Sequence, residues 1–129
     1  MKRELVLNGN QMEEIVGFSR AVRVGPYITI GGTAPVDQEG NTVGVGNARQ
    51  QAERCFEIIG DALKRAGSGW HDVVRTRIIL TNIDDWKSVI DVRAKFCREA
   101  KPVDTIMQIT RFVNPECPSE KLLNHMSQM

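Results

Sequence analysis

Residues 47–80 read NARQQAERCFEIIGDALKRAGSGWHDVVRTRIIL, and this stretch decides the fold. Asn47 is a helix N-cap residue, and Gln50 sits three positions on, as in a capping box. Ala52, Cys55, Phe56, Ile59, Ala62, Leu63 and Ala66 recur at three- and four-residue steps and share one helix face. Glu53, Arg54, Glu57, Asp61 and Lys64 fall outside that stripe. Asp61 and Arg65 are spaced for an i,i+4 ion pair, and Lys64 and Arg65 suit the negative end of the helix dipole. Gly67 stands where a left-handed residue ends a helix. The run from Asp72 to Leu80 is β-branched and too short for a typical helix. A long amphipathic helix followed by an apolar strand predicts a sheet that the helix covers.

Working outward, Arg3–Leu7 is a candidate first strand and Asn8–Glu14 a polar loop. Phe18–Val24 alternates, Gly25-Pro26 suits a type II′ hairpin turn, and Tyr27–Ile30 returns. The glycines of Gly31-Gly32-Thr33-Ala34-Pro35 mark a bulge or a close approach to the backbone. Val36–Gly46 reads as a surface loop. Asp84 is placed to cap a second helix running to about Glu99, with Trp86, Val89, Ile90, Val92, Phe96 and Cys97 on its apolar side. Pro102 biases its predecessor to extended geometry. Thr105–Val113 predicts another strand. The tail from Asn114 is polar and breaks the pattern, with Leu122 and Leu123 its only strong apolar residues. Interleaved strands and helices predict an α+β domain, a single sheet with two helices on one face. If Val74, Thr76, Ile78 and Leu80 face the helices, Arg75 and Arg77 lie on the opposite face, and such an amphipathic second face predicts an oligomer interface.

The chain has 129 residues, 41% hydrophobic and 26% charged, with a formal net charge of +1. This is one globular domain with room for a core. The balance argues against a dedicated nucleic-acid binder, and no apolar run approaches membrane-spanning length. The N-terminus lacks the apolar segment of a signal peptide, so the expected location is cytoplasmic. Three widely spaced cysteines, Cys55, Cys97 and Cys117, form no disulfide framework. Cys55 and Cys97 read as small buried hydrophobes and Cys117 as a thiol in a tail. Two distant histidines, His71 and His125, leave no metal-ligand spacing, so no metal and no cofactor are expected.

No stretch matches a phosphate loop or a nucleophile elbow. Arg75 and Arg77 could hold a carboxylate in bidentate fashion or serve as surface or interface ion-pairing residues. Asp84-Asp85 reads as a helix start rather than a metal site. As lone residues, Ser19 reads as structural rather than catalytic, and Asp104 as a solvated or turn carboxylate.

The ordered set GFSRAVRVGPYITIGGTAPVDQEGN, QQAERCFEIIGDALKRAGSGWHDVVRTRIILTNIDDWKSVIDVRAKF and KPVDTIMQITRFVNPE resembles the Rid (YjgF/YER057c/UK114) family from about Val16 to Glu116. The resemblance implies a chorismate-mutase-like fold with a mixed sheet. It also implies a homotrimer with small-molecule clefts between subunits. The activity it implies is hydrolysis of reactive enamines and imines to 2-keto acids and ammonia. An arginine holds the substrate carboxylate, and a glutamate near the C-terminus positions the water.

Several positions depart from the family pattern. Pro102-Val103 is followed by Asp104 where active members carry the arginine, and an acid would repel a carboxylate. Phe18 replaces a tyrosine, Gly31 a serine, and Ile90 an asparagine, whereas Ser19 and Gly32 match. The segment from Cys117 to Met129 departs from the family's last strand, and Glu120 lacks the surrounding motif of the water-positioning glutamate. If that strand is missing, one sheet edge lies open. The catalytic residues therefore stay unassigned. The expected ligand site comprises Ser19, Gly31 and Gly32, walls from Phe18 and Ile90, and by position Thr33, Asp104 and Thr105, with Asp104 favouring a cationic amine. The resemblance leaves three readings: a hydrolase of the 2-iminobutanoate/2-iminopropanoate deaminase type or a related one, a non-catalytic binding or regulatory module, and, more weakly, an endoribonuclease or translation inhibitor. Against the last stand the net charge and the single tyrosine.

Overall fold

The computed structural model describes residues 1–113 and the backbone of a strand at 122–128. The helix of the deciding stretch, α1, spans Ala48–Arg65. The Asn47 side chain accepts from the Gln50 backbone N–H at 3.0 Å. The reciprocal half of the capping box is not made, because the Asn47 N–H donates to Gly44 O instead. At the other end Ser68 N donates to Leu63 O and Gly67 N to Lys64 O, with Gly67 at φ +86°. This is a Schellman ending, which a residue without Cβ adopts at least cost. Asp61 and Arg65 form the expected pair at 2.9 Å.

Six strands make one mixed sheet in the order β1-β2-β3-β6-β4-β5. They are β1 (Arg3–Val6), β2 (Ala21–Val24), β3 (Tyr27–Thr33), β4 (Val73–Leu80), β5 (Val103–Gln108) and β6 (Leu122–Gln128). β4 and β5 are parallel, joined through α2 (Trp86–Cys97), and the other neighbours are antiparallel. Val24 opposite Tyr27 gives the two-residue hairpin at Gly25-Pro26, with Gly25 at φ +59°, as type II′ requires.

Both helices cover one face. Val6, Ala21, Ile28, Ile30 and Val73 pack with Ile59, Ala62 and Leu63 of α1. Ile78 and Leu80 pack with Ala52, Cys55 and Phe56 of α1 and with Val89, Val92 and Cys97 of α2. Phe56, Trp70 and Phe96 join the two layers with ring centroids 5.1–5.3 Å apart. Each fully buried large side chain contributes roughly 1.5–3 kcal/mol of transfer free energy. Cys55 and Cys97 are buried thiols, as their apolar surroundings predicted.

Several boundaries differ from the sequence reading. The tail does not leave the sheet open: 122–128 runs antiparallel between β3 and β4, in the middle of the sheet. Backbone pairing on both sides supplies what the polar pattern withheld. Cys117 and Glu120 lie outside the described residues. β5 begins two residues earlier than expected and stops at Gln108, whose side chain accepts from Ile83 N. Asn82, not Asp84, makes the cap: its side chain accepts from Asp84 N and opens a 3-10 turn, Ile83–Asp85, ahead of α2. β2 starts at Ala21, so Phe18, Ser19 and Arg20 precede it. The expected loop before them closes into a five-residue helical turn, Glu13–Gly17, whose Glu13 carboxylate accepts from Asn8 N and Asn10 N. Val74 is exposed, because an extra residue between Val73 and Arg75 shifts the register there, while Thr76, Ile78 and Leu80 do face the helices. Lys101 is left-handed at φ 53° rather than extended, and its N–H donates to Cys97 O, closing α2.

Candidate functional site

The glycine pair ends β3 in a bulge. Ile30 pairs with Met126 and Thr33 with Asn124, so β3 spends one residue more than β6. The bulge turns three backbone groups toward side chains or neighbouring backbone. Gly31 N donates to Arg20 O at 2.9 Å. Gly31 O accepts from Thr33 Oγ1 at 3.0 Å, and Gly32 O accepts from Arg20 Nη2 at 2.6 Å. Beneath it the Cys55 thiol donates to Thr33 O at 3.4 Å. Thr33 is 0% exposed, so its hydroxyl serves the bulge and does not face outward. A Cβ on Gly32 would meet nothing within 4 Å, which makes Gly32 the open side of the bulge.

Ser19, Gly31, Gly32 and Thr33 therefore converge at one place, and a Cβ on Gly31 would lie 3.5 Å from Ser19 O. Phe18 is 44% exposed beside them in sequence, an apolar ring at the surface. Asp104 and Thr105 lie elsewhere, opposite Thr76 and Arg77 on the edge strand. Two strands, β6 and β4, separate β5 from β3. Three strand spacings amount to about 14 Å. Ile90 is half-buried on α2.

Asp104 has partners of its own. Its Oδ1 accepts from Thr76 Oγ1 at 2.6 Å and lies 3.6 Å from Arg93 Nε. Arg93 Nε also donates to Thr76 Oγ1, and Nη2 to Pro102 O at 2.8 Å. With side chains 16% and 21% exposed, Arg93 and Asp104 tie the sheet edge to α2. That countercharge removes the reason to expect a cationic amine at Asp104. Arg75 is exposed and Arg77 half-buried, both on the face away from the helices.

The sequence reading missed Arg20. Its guanidinium crosses the bulge, its Nε is buried without a hydrogen-bond partner among the described residues, and burial pulls its pKa below the usual guanidinium value. The signal was present, since Arg20 sits next to the matching Ser19, but alternation alone placed it among strand residues. Gln51 was also missed. It is fully buried on α1, with both amide atoms unpartnered among the described residues. Among the described residues no group of three His, Cys, Asp or Glu side chains is placed to hold a metal ion, and no helix is long and apolar enough to cross a membrane.

A family profile described as Endoribonuclease L-PSP matches residues 8–120. The chain belongs to that family, the YjgF/RutC/Rid family. A crystal structure of a YjgF/YER057c/UK114 family member from Mycobacterium tuberculosis superposes with a TM-score of 0.86 at 31% identity, covering 98% of each chain. A RutC family protein of Pyrococcus abyssi is 27% identical over 111 residues, 86% of this chain and 87% of that one. The 2-iminobutanoate/2-iminopropanoate deaminase of Bos taurus is 26% identical over 107 residues, 83% of this chain and 78% of that one. Membership in the Rid family accounts for the mixed sheet, its two covering helices and the strand 122–128 within it.

Proposed function

We propose that this Rid-family chain binds a small molecule at the Ser19–Gly31–Gly32 bulge and hydrolyses an enamine or imine there, as part of a homotrimer. The observation that carries the reading is the bulge itself: buried Thr33 and Cys55 donate to its carbonyls, and the space beside Gly32 is open. In the chemistry, water adds to the imine carbon, and the tetrahedral adduct expels ammonia to leave a carbonyl. The similarity to a named deaminase supports this class of substrate.

The two groups of candidate residues also support an intersubunit cleft. Ser19 to Thr33 and Asp104–Thr105 are too far apart across one sheet to line a single small pocket. Two neighbouring subunits could bring them face to face. The half-apolar sheet face bearing Leu5, Val22, Val24 and Tyr27 supports the trimer.

The test is a coupled assay in which a pyridoxal-dependent dehydratase makes the enamine from serine or threonine, with semicarbazide as a trap. Faster release of 2-keto acid with the protein is expected. No acceleration from a verified trimer overturns hydrolysis. A second reading, a binding module without turnover, is favoured by the engagement of Asp104 with Arg93 where active members carry an arginine. A ligand that raises the melting midpoint without being consumed would support it.

A further inference from the structure

The arginines of this chain differ in what answers their charge. Arg49, Arg54, Arg65 and Arg93 each lie within 4 Å of a carboxylate. Arg23 gives its donors to the carbonyls of Gly25 and Ala66, at the negative end of α1. Arg20 has neither arrangement. Among the described residues no carboxylate lies within 4 Å of it, and its single side-chain bond goes to a neutral carbonyl, Gly32 O. Cys55 and, to a smaller degree, Glu13 act on it through their charge, and the Glu13 carboxylate is already accepting from Asn8 N and Asn10 N.

A guanidinium carries five N–H donors. In Arg20 the Nε–H is buried and one Nη2–H is used, so three donors remain on the terminal nitrogens. The bond to Gly32 O holds them at the bulge, on the side where a Cβ of residue 31 would stand. Gly31 makes this position available: a Cβ there would stand 3.0 Å from Arg20 Nη2. A half-buried cation with no carboxylate within 4 Å among the described residues is stabilised by an anion, and a planar carboxylate matches the two terminal nitrogens.

We propose that Arg20 is the residue that grips the acid group of the ligand, which makes the ligand a small carboxylate bound against Gly31 and Gly32. The assignment rests on the small-molecule reading above and specifies the charge of the substrate. It also gives the missing arginine at residue 104 a replacement on a different strand.

The experiment compares 2-oxobutanoate with its uncharged methyl ester by titration calorimetry, on wild type, Arg20→Gln and Gly31→Ser. Wild type is expected to bind the acid more tightly than the ester. Arg20→Gln is expected to weaken the acid roughly 10- to 100-fold, the worth of a charge-assisted bond, and to leave the ester unchanged. Gly31→Ser, which keeps Arg20 but crowds its Nη2, is expected to weaken the acid more than the ester, and it decides the matter if Arg20→Gln does not fold. In the 15N–1H spectrum the Arg20 Nε–H resonance is expected to move on adding the acid and not the ester. Equal binding of acid and ester by wild type overturns the assignment and leaves the pocket standing. A preference for the acid that survives in folded Arg20→Gln also overturns it and turns attention to Arg75 and Arg77. Binding of neither probe by wild type removes the pocket reading and the assignment with it.

Discussion

The Nη2 of Arg20 lies 3.0 Å from the point where a Cβ on residue 31 would stand. The absence of a side chain at Gly31 therefore clears the place that the guanidinium occupies. Gly31 is not at positive φ, and the nearest atom to a new Cβ is the far end of a flexible side chain. Gly31→Ser is thus expected to cost about 1 kcal/mol or less. It should nevertheless turn Arg20 away from Gly32 O. Denaturant unfolding checks the first outcome and a crystal structure of the variant the second.

Asp104, Thr76 and Arg93 form a second coupled unit, at the sheet edge. Asp104→Ala would leave Arg93, 16% exposed, without its countercharge. The expected loss is about 1–3 kcal/mol. Asp104→Asn, which keeps an acceptor for the Thr76 hydroxyl, should lose less. Restoring the family's arginine by Asp104→Arg would set two guanidiniums side by side; it should lower the melting midpoint and bring no deaminase activity. Midpoints of the three variants, with the coupled assay on Asp104→Arg, check this. A double-mutant cycle with Arg93→Met should show non-additivity.

The elements legible in the sequence were those whose stability is local or periodic. α1 announced itself through Asn47, its apolar stripe and Gly67, and the hairpin through Gly25-Pro26. The bulge was legible from Gly31-Gly32. What the sequence hid depends on partners far along the chain. Strand 122–128 has no alternating apolar pattern, because its place in the sheet rests on backbone pairing with β3 and β4. Gln51 escaped notice because a polar residue on a helix is read as exposed. The surroundings of Asp104 and Arg20 were hidden for the same reason. A carboxylate in a family motif looked available until Arg93, from another element, was seen against it. An arginine among strand residues looked structural until its buried Nε, unbonded among the described residues, was visible.

Gly60, inside α1, tests packing against propensity. Alanine is favoured over glycine by about 1 kcal/mol in a helix interior. Here, however, a Cβ would come within 2.9 Å of Trp70 Nε1 and 3.6 Å of the same ring's Cε2. The indole packs against the stacked rings of Phe56 and Phe96, which limits its freedom to withdraw. Gly60→Ala is therefore expected to destabilise by about 1–2 kcal/mol, the cost of overpacking exceeding the propensity gain. Guanidinium unfolding would decide it, and a more stable variant would show that the ring gives way.

Cys97 makes stability depend on alkaline pH. Burial pushes its thiol above the ordinary value of 9.0, with the charge of Arg93 a smaller opposing influence. Below that value both folded and unfolded chains carry the proton, and the group has no effect on stability. As pH rises through it, the unfolded chain ionises first and so binds fewer protons than the folded one. Stability therefore falls with rising pH, until the folded thiol also ionises. Cys97→Ala removes this slope while costing a constant amount for the lost packing. Melting midpoints of wild type and Cys97→Ala from pH 7 to 10.5 are expected to converge as pH rises, wild type being the more stable at neutral pH. A constant gap across that range would show that the buried thiol titrates as freely as an exposed one.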